Sequence, residues 1–504
     1  MTKRTFSLII FLLTAFLVNA QDKKPNIVFI EVDDLPAHYT TMLGLKTSDT
    51  PTVDKLANEG VFFNNAIVQG TMCGPSRNSF IVGKYPHNLG FYQNGPFKGL
   101  ETNTWALPAA LQRAGYYTAH IGKSHIHPSK EGLKGSKVEI SRKGHERLGF
   151  DYVWNSLGRT VVGDRNIKEG KDMYVDFLIA NGYLDKMKQK EKISTLPEDI
   201  YLDGLYTKLA LEFLEKHKDE TYFMWLNYSV PHGPYDVEQK YHDKFNESMA
   251  PTPNYYDDKG ENIPALLRPH PIKPGKKVLL DEQLGNMSNI SYMDYQVSRI
   301  LDKIKETGHE DNTVVVFFSD HGIFVGDHGL VHKSSLYKEV LNPTLIIKDP
   351  RNKNNGRIVT RPVALLDVLK TTMEIAGASK EDINTPYGES LMPLLKDKRG
   401  YKSKFAVGES PGYYAIVTED YKYIAPFDYQ KDGIEVLFDL KKDPNETTNV
   451  ASSNPKTITK FRKMAKEWLA ESGEVKIQKP KPKKNKKGKK NKKGKNKKGK
   501  NKKK

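Results

Sequence analysis

Thr313-Val314-Val315-Val316-Phe317-Phe318, followed by Ser319-Asp320-His321-Gly322, is the stretch that decides the fold. Six consecutive β-branched or apolar residues bounded by small polar ones read as a strand buried on both faces. Three other stretches repeat the pattern. Asn26-Ile27-Val28-Phe29-Ile30-Glu31-Val32 ends in Asp33-Asp34; Tyr116-Tyr117-Thr118-Ala119-His120-Ile121 runs into Gly122-Lys123-Ser124-His125. Thr221-Tyr222-Phe223-Met224-Trp225-Leu226-Asn227-Tyr228 ends in Ser229-Val230-Pro231-His232-Gly233-Pro234. Each strand delivers polar or charged residues at its C-terminal end, and segments of helical periodicity alternate with them. This pattern predicts an α/β fold, a doubly wound and mostly parallel sheet with helices on both faces and its site at one sheet edge.

Helices are predicted over 51–60, 105–113, 200–216 and 281–307, the last with a break near Ser291. Residues 130–200 carry weak periodicity and read as an insertion shaping the substrate side; 236–280 read as a surface excursion. Beyond about residue 385 short strands around 405–408, 413–417, 421–424 and 436–439 precede a closing helix over 458–469. The expected organisation is a leader over 1–20, a catalytic α/β domain over 21–385, a smaller C-terminal α+β subdomain with an antiparallel sheet over 386–478, and a disordered tail over 479–504.

The chain has one cysteine, in Cys73-Gly74-Pro75-Ser76-Arg77. Pro75 suits the first turn of a helix and Gly83 its end, which places Cys73 at a helix N-terminus, where backbone N–H groups favour an anion. The pentapeptide matches the Cys-x-Pro-Ser-Arg signature of the type I sulfatases, of the alkaline-phosphatase-like superfamily. Further matches are the Asp33-Asp34 pair, Gly122-Lys123-Ser124-His125, the Pro231-His232-Gly233-Pro234 turn, Asp320-His321 and Lys333 after a glycine-rich loop. The resemblance covers about residues 24–470. It implies that Cys73 is oxidised to formylglycine by a maturing enzyme, and that Asp33, Asp34, Asp320, His321 and residue 73 hold calcium. Oxygen-rich ligands agree with that ion, His321 being the softest member. The resemblance further implies that Arg77, Lys123 and Lys333 neutralise charge on a sulfate ester, with His232 as proton donor and His125 as base. The stretch Gly83-Lys84-Tyr85-Pro86-His87-Asn88 is especially similar to the glucosamine-6-sulfatase branch. The function expected is removal of sulfate from a sulfated carbohydrate. An arylsulfatase, a phosphodiesterase or phosphonate hydrolase of the same superfamily, and a dead enzyme acting as a polyanion binder are the alternatives.

Lys3 and Arg4, the apolar run Ser7 to Val18 and the small residues at Val18-Asn19-Ala20 read as a secretory signal, so an exported periplasmic or secreted protein is expected. With one cysteine, internal disulfides are excluded. The 17 lysines of residues 479–504 account for all but one unit of the formal charge of +18. The body is therefore near neutral and the tail is a polycation suited to acidic polymers or a cell surface. No specific nucleic-acid partner is expected.

Overall fold

The structure is a computed structural model that describes residues 24–35, 37–158, 168–188, 193–254, 259–272, 276–428 and 434–476. The expected leader and the lysine-rich tail lie outside the described residues.

An eight-stranded sheet forms the centre. Its strands are β1 (Asn26–Asp33), β2 (Val61–Phe63), β3 (Tyr117–Lys123), β4 (Tyr152–Ser156), β5 (Tyr222–Pro231), β6 (Thr313–Ser319), β7 (Leu345–Lys348) and β8 (Arg357–Val359), in spatial order β8-β2-β7-β6-β1-β5-β3-β4. All pairs are parallel except those of β7, which runs antiparallel to β6 and β2. The four strands read first from the sequence are thus neighbours, β6-β1-β5-β3, and their C-terminal ends lie side by side.

The sheet is buried on both faces because its side chains alternate. From β1, Ile27 and Phe29 enter one core with Trp225, Phe318 and the helices α2 (Cys73–Val82), α3 (Leu107–Arg113) and α6 (Asp367–Ile375). Val28, Ile30 and Val32 enter the other, with Leu226, Phe317 and the helices α1 (Pro51–Asn58), α4 (Leu202–Lys216) and α5 (Lys276–Glu306). Two sequence expectations are corrected. The helix α5 runs unbroken through Ser291, whose hydroxyl donates to Asp49 Oδ2 (2.6 Å). The weakly periodic segment supplies β4, which extends the central sheet beyond β3.

The C-terminal strands β9 (Ala406–Ser410), β10 (Tyr413–Val417), β11 (Tyr421–Pro426) and β12 (Val436–Asp439) form an antiparallel sheet. Helix α7 (Pro455–Ser472) packs on it through Ile458, Phe461, Ala465 and Trp468. Glu409 fixes this sheet to the rest. Its carboxylate takes the His87 backbone N–H (2.9 Å) and meets His87 Nδ1 (2.6 Å), and its own N–H donates to Gln69 O (2.9 Å). Tyr85 joins the Trp468 core. The 83–88 stretch therefore serves as the seat of the C-terminal sheet. Among the described residues, no helix is long and apolar enough to cross a membrane.

Candidate active site

The site is assembled at the C-terminal ends of β6, β1, β5 and β3, with α2 rising beside them. Helix α2 begins at Cys73 and stops at Gly83, whose φ of +64° closes the helix in the left-handed region. The Ser76 hydroxyl donates to Asp320 O (2.6 Å), tying the first turn of α2 to the end of β6. Asn78, one turn after Gly74, donates to Gly74 O (2.7 Å) and His125 O (2.8 Å) and accepts from His127 N–H (2.8 Å). It thereby staples the loop after β3 to α2.

Donor atoms of Asp33, Asp34, Cys73 and His321 all lie within 4.8 Å of one another, and all four residues are buried. Cys73 Sγ is 3.4 Å from Asp33 Oδ1, 3.3 Å from His321 Nε2 and 3.1 Å from the Lys333 ammonium. His321 Nδ1 faces Gly322 O (3.0 Å) and Asp34 Oδ1 (3.2 Å), so it carries the hydrogen and leaves the Nε2 lone pair toward Sγ. Two carboxylates and an imidazole lone pair converging in this way fit a divalent cation. Asp320 stands just outside the group. Its Oδ2 takes Arg77 Nε (2.9 Å), and its Oδ1 accepts from His321 N–H (3.0 Å) and Asp34 N–H (3.4 Å).

Arg77 lies beneath this layer with no exposed surface. Besides Asp320, its guanidinium meets Glu31 Oε2 (3.3 Å), Asp33 Oδ2 (4.0 Å) and Lys123 O (3.2 Å). It holds the carboxylates in place and does not line the cavity. Lys333 Nζ donates to Asp34 Oδ1 (2.7 Å), and Lys123 Nζ pairs with Asp33. Burial alone would raise the Asp34 carboxyl, but Lys333, His232 and His321 carry it below the usual carboxylate range. Burial lowers Lys123 to about 7, with Lys333 adding to the effect. Burial pushes the Cys73 thiol up to about 12 despite the nearby Lys333.

A cavity of about 180 Å³ opens beside this cluster, lined by Lys123, His125, His232, Asn94, Leu157 and Gly158 among others. His232 Nδ1 meets Gly233 O (2.5 Å), and its Nε2 is 3.7 Å from Asp34 Oδ2. Burial, then the Lys123 charge, depress His232 to about 3, and the same causes hold His125 well below the ordinary imidazole range. Among the described residues, His125 Nδ1 has no hydrogen-bond partner. His332, beside Lys333, is exposed and turned onto His270.

Four positioning residues escaped the sequence reading. Glu31 is held by Arg77, Trp225 Nε1 (2.9 Å) and Asn227 Nδ2 (3.0 Å), and burial raises it to about 7. Its only signal was an acid inside an apolar run. Asn94 Oδ1 accepts the Gly74 N–H (2.8 Å) and borders the cavity. Asp203 on α4 accepts the Ser229 N–H (2.5 Å), and Asn289 on α5 donates to Pro231 O and His232 O (3.3 Å each). Together Asp203 and Asn289 aim the His232 turn.

Gly122 sets the direction of Lys123. Its φ is +112°, and a Cβ there would stand 2.0 Å from Asn227 O on β5. Gly122→Ala is expected to lower stability by roughly 2–4 kcal/mol through overpacking and backbone strain. Denaturant unfolding within 0.5 kcal/mol (about the scatter of a neutral surface change) of the parent would refute this.

The Sulfatase family model matches residues 25–378. The chain belongs to the sulfatase family. A second family model, the C-terminal region of N-sulphoglucosamine sulphohydrolase, matches residues 326–473 of this sulfatase. A sulfatase of Formosa agariphila is 26% identical over 456 residues, covering 86% of this chain and 85% of that protein. The N-acetylglucosamine-6-O-sulfatase of Bacteroides thetaiotaomicron is 26% identical over 506 residues, covering 85% and 83%. The phosphonate monoester hydrolase of Agrobacterium radiobacter shares the fold, with a TM-score of 0.75 at 20% identity, covering 89% of the sulfatase and 96% of that chain. As a sulfatase, the protein is a sulfuric ester hydrolase.

Proposed function

We propose that the protein is an exported carbohydrate sulfatase that uses formylglycine at position 73 and a calcium ion. The observation that carries this reading is the placement of Cys73 Sγ among Asp33, Asp34, His321 and Lys333, beside a cavity lined by Lys123, His125 and His232. The N-acetylglucosamine-6-O-sulfatase relative supports a sulfated sugar as the substrate. Export rests on the leader read over residues 1–20, and conversion of Cys73 requires a maturing enzyme as partner.

The thiol itself is a poor nucleophile here, because burial keeps it protonated. Formylglycine at position 73 would supply a hydroxyl nucleophile in place of the thiol. Asp33, Asp34, His321 and residue 73, with Asp320 alongside, would hold the calcium ion, which would supply positive charge toward the sulfate. Lys123 and Lys333 add positive charge from the chain and orient the anion. His232 lies in the cavity beside Asp34, where a bound anion offsets the Lys123 field and favours its protonated form; from there it delivers a proton to the leaving alcohol. His125, whose Nδ1 has no hydrogen-bond partner among the described residues, is placed to accept a proton at the release step.

A panel of defined sulfated oligosaccharides, with an aryl sulfate and a phosphonate monoester beside them, tests this reading. The protein comes from a maturation-competent host, with residue 73 checked by peptide mass spectrometry and the metal by elemental analysis. Desulfation of a sugar by calcium-bearing, formylglycine-bearing protein is expected. Full activity with unmodified cysteine and no divalent ion, or a phosphonate preferred over every sulfate ester, would overturn it.

The tail is proposed to tether the enzyme to acidic polymers. The attraction of its lysines to such polymers is screened by salt. Truncation after Gln478 is expected to preserve turnover of a small soluble sulfate ester and to weaken retention on sulfated polysaccharide at low salt. Equal retention of both forms across a salt series would refute the tether.

A further inference from the structure

A second cavity, of about 250 Å³, backs onto the catalytic one. The wall between them is the run 123–127, which turns at His125, where φ is +46°. Lys123 and His125 face the catalytic cavity, whereas Ser124, Ile126 and His127 face the second. The run after β4 behaves alike: Asn155 and Ser156 line the second cavity and Gly158 the first. Leu157 borders both, and it is 45% exposed, one of the few large apolar side chains of the described residues left to solvent.

The lining of the second cavity is rich in lysine. Lys130, Lys137 and Lys171 line it, and among the described residues Asp172 is the one carboxylate of its lining. That carboxylate is spent within the fold, its oxygens taken by the N–H groups of Tyr174 and Leu157 (2.9 Å each). Burial, then Lys130, lower His127 to about 4, so its imidazole adds no charge near neutrality. Asn155 is 4% exposed, and among the described residues its Nδ2 has no hydrogen-bond partner. An apolar lip, a basic chamber and an idle amide donor, one residue away from Lys123 and His125, have no part in the catalytic cluster.

We propose that this chamber is a second substrate subsite, in which the sugar unit next to the scissile one packs over Leu157 and places an anionic group, a sulfate or a uronate carboxylate, against Lys130 and Lys137. The inference rests on the carbohydrate sulfatase reading and names the substrate further: an oligosaccharide charged on adjacent units. Lysines on flexible stems read charge without fixed geometry, which suits either anion.

The test compares oligosaccharides with one scissile sulfate and a neighbouring unit that is neutral, sulfated or a uronate. The matured full-length enzyme should show kcat/KM at least tenfold higher for one charged neighbour than for the neutral one, and the better charged arm identifies the group. The Lys130→Ala/Lys137→Ala double variant should lose most of that preference, and Lys137→Glu should reverse it. In the parent enzyme the preference should also shrink as ionic strength rises from low to above physiological, a measurement independent of any variant. No preference in the parent, or one unmoved by both the double variant and salt, would overturn the subsite. Absence of turnover on every sulfate ester, the aryl sulfate included, would instead overturn the sulfatase reading and the subsite with it.

Discussion

Cys73→Ala is expected to reduce turnover of any sulfate ester by on the order of 10⁴-fold or more, the scale seen when a nucleophile is removed. The fold should survive. Only one sulfur atom is lost, from a helix whose first two turns are held independently by the Ser76–Asp320 and Asn78–His125 hydrogen bonds. The expected destabilisation is about 1 kcal/mol for a small buried truncation. Cys73→Ser should keep substrate affinity while turnover stops, because a serine has no second hydroxyl to drive release. Single-turnover and equilibrium binding measurements separate these outcomes. An alanine variant within tenfold of the parent would place the chemistry elsewhere.

The largest expected loss of stability is that of Arg77→Leu. The guanidinium is the buried counter-charge for Glu31 and Asp320 and stands 4.0 Å from Asp33. Removing one partner from a buried ionic network leaves uncompensated carboxylates and costs about 3–5 kcal/mol. Arg77→Lys should fall between the two, since an ammonium keeps the charge but cannot span Glu31 and Asp320 with a planar fork. The free energy of denaturant unfolding, with metal content measured in parallel, checks this order. A leucine variant within 1 kcal/mol (the low end of a typical point mutation) of the parent would show that other groups carry the network.

The central sheet was legible because its strands are written in β-branched and aromatic residues and end in polar ones. Asp33, Asp34, Lys123, His232, Asp320 and His321 stand at those ends. The structure gathers Asp33, Asp34, His321 and Cys73 into one cluster, leaves Asp320 on Arg77, and puts Lys123 and His232 on the cavity wall. Arg77 was expected at the substrate, and its place beneath the carboxylates depends on Glu31, whose pairing is not written in local periodicity. Asp203 and Asn289 act on a turn from distant helices, so no spacing rule could expose them. The expected break in α5 had a physical source. Asn286, Ser288, Asn289 and Ser291 are buried, so polar residues on inward positions hide the apolar stripe that marks an amphipathic helix. The strand β4 was missed because Tyr152, Val153 and Trp154 are only half-buried, at a sheet edge that is partly covered.

Cys73 is 1% exposed, and Gly74, Pro75, Ser76 and Arg77 are buried with it. On the proposed maturation, a second enzyme has to oxidise this buried thiol before the fold closes over it, a race between modification and folding. The finish of that race is written late in the chain. Gly70 makes an isolated β-bridge to Glu409, and the Thr71 hydroxyl donates to Glu409 O (3.4 Å). The covering of the Cys73 loop is therefore complete only after more than three hundred further residues have been made. Variants that hasten closure of the C-terminal sheet are expected to yield well-folded protein with a smaller fraction of residue 73 modified, as peptide mass spectrometry would read.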